Sequence, residues 1–162
     1  MLGFIPVPIT AQSMGVMLAG VILGARRGTV AVLLVLLLAA IGLPVLSGGR
    51  GGLAVFAAPT TGYLIGWVFA AFVTGALAER LVRPAQGALA QSLGFFAAAV
   101  AGGVVVLYAF GITYLAVVTG IDFGKAFLGS MAFIPGDLIK AAVAALAARA
   151  VMAGYPLLPA RA

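Results

Sequence analysis

The sequence contains no cysteine and no histidine. Without cysteine there can be no disulfide, thiolate nucleophile or thiolate metal site. Without histidine the commonest general base and metal ligand is gone as well. Acidic residues are nearly as scarce: Glu79, Asp122 and Asp137 are the only three in 162 residues. So few carboxylates, so widely spaced, form no recognisable acid/base pair or metal cluster. Charged residues of either sign make up 7% of the chain, against roughly a quarter in an ordinary soluble domain. The nearest approach to a nucleotide motif, Gly120 to Lys125, has the wrong glycine spacing for a phosphate loop. It also places Ala126 where Ser or Thr must hold magnesium. The chain is expected neither to hydrolyse ATP nor to need a cofactor. Met1 to Pro8 holds two prolines and no basic segment, so no signal peptide is read there.

What fills the sequence is hydrocarbon. Hydrophobic residues make up 65% and the mean hydropathy is +1.30. The long apolar runs, lacking the alternation of barrel strands, predict an all-α polytopic membrane protein. A crossing takes about 20 helical residues. The expectation is therefore a single transmembrane domain over 1–162, with five spans at about 9–25, 29–46, 61–79, 89–110 and 134–153. A Gly-rich outer loop is expected over about 47–60 and an outer surface segment over about 111–132. The pI near 10.6 does not point to nucleic acid, because the nine basic residues are scattered among hydrophobic segments; the partner expected is the lipid bilayer.

Small residues mark where helices approach closely. The first span carries Ala11, Gly15 and Ala19 at i, i+4, i+8. The third carries Gly62, Gly66, Ala70, Thr74 and Ala78 as an unbroken ladder. Thr29 to Ile41 has no polar side chain after Thr29 itself, as suits a lipid-facing helix. Between them, four glycines surround Arg50 while Leu53 to Ala58 is apolar, which predicts a shaped loop dipping back toward the interior. Tyr63 and Trp67 stand at the entry to the third span, at the level of an aromatic belt or a pocket wall.

Basic residues give the orientation. Arg26, Arg27, Arg80, Arg83, Arg149 and Arg161 fall on one side, Arg50 and Lys125 on the other. The larger group belongs in the cytoplasm, so the C-terminus is expected to be cytoplasmic and the Gly-rich loop to lie outside. At that outer end Pro135 opens the last helix, with Asp137 near its positive pole and Lys140 three residues on, on the same face. Each of these charges costs roughly 2.5–3.5 kcal/mol at the centre of a span, less near its end. They form either a structural ion pair or a polar grip on a ligand.

Four stretches carry a family resemblance: Val7 to Gln12; Gly42 to Val45 with Gly48 to Gly52; Pro59 to Gly66; and Phe133 to Lys140. Together they resemble the BioY family, the biotin-binding S components of energy-coupling-factor (ECF) transporters, over nearly the whole chain. The resemblance implies an S-component-like bundle in the cytoplasmic membrane of a prokaryote that captures biotin from outside. Transport would be driven by a separate transmembrane coupling protein and two ATPase subunits. The family has six spans; with five counted here, its first helix is expected to be missing, and with it much of the surface used to dock on the coupling protein.

Biotin supplies a neutral ureido group, an apolar thioether ring and a carboxylate on a flexible tail. The resemblance therefore assigns Asp137 to a ureido N–H, Lys140 to the ureido carbonyl and Arg50 to the tail carboxylate. Tyr63, Trp67 and Leu53 to Phe56 would wall the ring, and Gln12 and Thr10 would add polar contacts. On residues alone the two basic groups can exchange ends of the ligand. A different small vitamin, or a purely structural role as a membrane scaffold subunit, also stays open.

Overall fold

The computed structural model describes residues 11–155 and 158. Thr10, Arg161 and the start of the predicted first span lie outside the described residues. All regular structure among those residues is helical, apart from one isolated bridge between Leu46 and Arg50. Three runs are long and apolar enough to cross a membrane: Gln12–Ala40, Thr61–Leu81 and Ala88–Thr119. A fourth is added if the bent pair Phe123–Met131 and Ile134–Gly154, at 52°, counts as one.

The first run, α1 (Gln12–Ala40), is not one rod. Gly24 interrupts it with φ +80° and ψ −178°, and the chain folds back on itself. Gly28 packs on Ala19, where a Cβ would stand 2.6 Å from the carbonyl oxygen. The outcome is a tight helical hairpin with arms 12–23 and 25–40, about 18 and 24 Å long at 1.5 Å per residue. Ala19 uses the predicted small-residue stripe to meet the second arm, but Gly15 faces open space. The second arm turns Val30, Leu33, Leu34 and Leu37 outward, toward lipid. After Ala40 the loop is built rather than slack. Leu46 and Arg50 exchange backbone hydrogen bonds of 3.0 and 3.1 Å, and Gly52 N–H donates to the Ala39 carbonyl at 2.7 Å. Gly48 and Gly49 make the turn at φ +76° and +68°. Leu53–Ala57 then forms a short 3-10 turn that buries Val55.

α2 (Thr61–Leu81) buries its whole ladder of Gly62, Gly66, Ala70, Thr74 and Ala78. Gly62 and Gly66 lie against Tyr114, Phe110 and Leu107, so the ladder is the seam for the long run opposite. That run comprises α3 (Ala88–Val100), a π-helical stretch (Ala101–Val106) and α4 (Leu107–Thr119). It departs from the expected stop at Phe110: the helix continues to Thr119 because Gly111, Ile112 and Leu115 are buried on its inner face. Gly120, at φ +68°, ends it as a left-handed C-terminal residue. The predicted surface segment over 111–132 thus loses its first nine residues to α4. Its remainder is α5 (Phe123–Met131), capped by Asp122 accepting from the Lys125 N–H at 3.2 Å. Asp122 is therefore occupied as a helix cap. The chain closes with α6 (Ile134–Gly154), which carries Pro135 in its first turn and presents Ala141, Ala144, Ala145 and Ala148 to the core.

Candidate ligand site

The first hairpin arm, the 42–60 loop, α2, α4 and the start of α6 enclose a cavity at one end of the bundle. It is lined in part by Gln12, Arg50, Tyr63, Trp67, Asp137 and Lys140, so all six residues singled out in the sequence face one space. Asp137 is 4% exposed and sits in the first turn of α6, where free backbone N–H groups favour a carboxylate. Its Oδ1 accepts from Ser13 Oγ at 3.0 Å and from Lys140 Nζ at 2.8 Å; its Oδ2 accepts from the Tyr108 hydroxyl at 2.5 Å. Lys140 also donates to Ser13 Oγ at 3.2 Å. The buried charge is thus neutralised by one cation and bonded by two hydroxyls, the arrangement that makes such a pair tolerable away from water.

The walls are aromatic and aliphatic. Trp67 and Leu64 from α2, Leu107 from α4 and Phe133 before α6 all line the space. Tyr63 meets Tyr108 edge to face, with ring centroids 6.2 Å apart and planes at 84°, and its hydroxyl lies 3.2 Å from Ser130 Oγ. The loop forms the outer rim. Gln12 Oε1 accepts from the Ser47 N–H at 3.2 Å, tying the loop to the first arm, and Arg50 Nε donates to the Ser47 carbonyl at 3.1 Å. Arg50 is exposed and has no ion pair among the described residues. Of the predicted loop wall, Val55 lines the cavity while Leu53 points away, 76% exposed.

Sequence reading missed Ser13, Tyr108, Thr60, Leu107 and Phe133, which also line the cavity. Ser13 adjoins Gln12 and Phe133 opens the last motif, so both lay in view. Tyr108 gave only one signal, a polar tip in an otherwise apolar run. No group of three or more metal-ligating side chains occurs among the described residues.

An all-helical bundle of apolar runs with one ion-paired, aromatic-walled cavity at its end is a multi-pass membrane protein built to hold a small solute. The chain belongs to the BioY family, whose model matches residues 1–157. It is 75% identical over 161 residues to the biotin transporter BioY of Rhizobium etli, covering 99% of this chain and 86% of the relative. It is 50% identical to the biotin transporter BioY of Rhodobacter capsulatus, covering 93% and 85%. Among solved structures it superposes with a TM-score of 0.86 on the S component for biotin from an ECF-type ABC transporter. That match is at 36% identity and covers 94% of this chain and 79% of the other.

Proposed function

We propose that this chain is the substrate-binding S component of an ECF transporter and captures biotin for uptake across the cytoplasmic membrane. The observation that carries the reading is the polarity of the cavity. Its floor holds a neutralised Asp137–Lys140 pair at 2.8 Å, and its rim holds the exposed cation Arg50. A ligand with a neutral polar head, an apolar middle and an anionic tail matches that order from floor to rim. Family membership and the relatives named as biotin transporters support the same choice.

In this reading the ureido group lies on Asp137 and Lys140, the ring lies among Trp67, Tyr63 and Val55, and the tail carboxylate meets Arg50. Burial favours that orientation over the reverse, since a carboxylate beside Asp137 would face a like charge in a low-dielectric site. The arginines at the hairpin turn and the end of α2 face the cytoplasm, with the C-terminus, and the cavity opens outward. The chain performs no catalysis; a transmembrane coupling protein and two ATPase subunits supply the energy.

The test is a calorimetric titration of the purified chain with biotin and, in parallel, with other small vitamins. Tight one-to-one binding of biotin alone is expected. Binding of a different vitamin, with biotin silent, would assign the site to that compound.

A further inference from the structure

Asp137 is held by three protein donors, and Tyr108 among them lies just after an irregular stretch of helix. Between Ala101 and Val106 the long run opens into π geometry. Such a turn inserts a residue relative to the α register and so rotates every later side chain by about 100° from its place in an unbroken helix. Tyr108 is the second residue of the α-helix that resumes. Close packing holds the widened turn: a Cβ on Gly102 would run into Thr74, and one on Gly103 would stand 2.5 Å from the Met17 side chain. Tyr108 is 7% exposed and its ring is braced by Tyr63, and its hydroxyl proton goes to Asp137 Oδ2.

We propose that Tyr108 is a positioning residue that sets the specificity of the head-group site, holding Asp137 so that a neutral head is accepted and a cationic one refused. The inference rests on the biotin reading above. A carboxylate offers about four acceptor positions; Ser13, Lys140 and Tyr108 occupy three. What remains is an acceptor position on Oδ2, beside the phenolic oxygen, and both Asp137 and Tyr108 line the cavity. A neutral N–H is satisfied by such a partner. A cation gains little, because Lys140 already neutralises the carboxylate and Tyr108 already spends part of its charge. Removal of the hydroxyl has opposite consequences for the two head types. The neutral head loses an orientated partner, whereas a cation gains an open position on a buried carboxylate and a charge-assisted bond of about twice the usual strength.

The experiment compares the full chain with Tyr108→Phe, using biotin and 2-iminobiotin at neutral pH. In the second ligand the ureido oxygen is replaced by nitrogen and the head is a guanidinium; the tails are identical, so any Arg50 contact cancels in the ratio. Tyr108→Phe is expected to weaken biotin about 3- to 10-fold and to lower the biotin to iminobiotin affinity ratio by about 10-fold or more. Tyr63→Phe removes a hydroxyl from the same cavity that is partnered by Ser130 instead, and is expected to move the ratio less than about twofold. Equal loss for both ligands in Tyr108→Phe, or an equal shift in Tyr63→Phe, overturns the specificity role and leaves the biotin reading intact. Failure of the unaltered chain to bind biotin overturns both. Thermal unfolding of each ligand-free variant checks that the cavity is still assembled.

Discussion

Glu79 on α2 accepts a hydrogen bond from the backbone N–H of Ala25 at 2.8 Å. Ala25 is the first residue after the reversal at Gly24, so this carboxylate caps the second arm of the hairpin and meets the positive end of its dipole. Gly75, one helical turn earlier on α2, lets the backbone of the reversal approach α2 directly. The three acids of the chain therefore have separate duties: Glu79 caps the hairpin, Asp122 caps α5 and Asp137 lies in the cavity.

Gly24 should be the least replaceable residue of that corner. Its φ of +80° with ψ of −178° falls in a region open essentially only to glycine, where strain costs about 1–3 kcal/mol. A Cβ there would also run into the Glu79 carboxylate. Gly24→Ala should lower the thermal unfolding midpoint by several degrees, and Glu79→Ala, which removes a cap alone, should have the smaller effect of about 1 kcal/mol. Unchanged stability in Gly24→Ala would contradict the hairpin.

The fold was legible wherever hydrophobicity and small residues decide it. The α2 ladder read from the sequence is the buried seam, and the apolar second arm is the exposed one. The long run outlasts its expected end at Phe110 because Gly111 serves close packing, the Tyr63 ring lying where its Cβ would be. Gly120, nine residues on, is the true stop. In the cavity, charge gave Asp137, Lys140 and Arg50 away, because charge in hydrocarbon demands an explanation. Tyr108 escaped because its facing depends on the π turn, and a register shift of one residue leaves no trace in composition.

Topology can be tested without removing native thiols, since the chain has none. Single cysteines at Ser47, in the loop over the cavity, and at Arg83, beyond the end of α2, should be labelled by an impermeant reagent from opposite sides. Ser47 should react from outside. Labelling of both positions from one side would reverse the direction assigned to the cavity.

Arg50 should matter only to a ligand that carries its partner. It is exposed, bonded through Nε to the Ser47 carbonyl and free of any acid among the described residues. Arg50→Ala should weaken biotin by up to about 1 kcal/mol, as expected of a rim charge in water, and this loss should shrink with added salt. A biotin amide without the carboxylate should lose almost nothing. Equal losses for acid and amide would place the ligand tail elsewhere.

The ion pair on the cavity floor separates a ligand site from a structural one. If Asp137 and Lys140 grip the ureido group, Asp137→Asn removes a charged acceptor and leaves the Lys140 ammonium, 20% exposed, beside a neutral amide. Binding should weaken by about 2–3 kcal/mol, roughly 30- to 150-fold, and Lys140→Ala should act in the same direction. Both single variants should also lose stability, because each leaves one buried charge uncompensated. The double replacement Asp137→Leu with Lys140→Met removes both charges and both desolvation penalties. Stability should then largely return, while the groups that address the ureido hydrogens and oxygen are gone. Recovered thermal stability without recovered biotin binding is the expected result. A double variant that binds biotin as the unaltered chain does would make the pair structural and move the head-group site away from the floor.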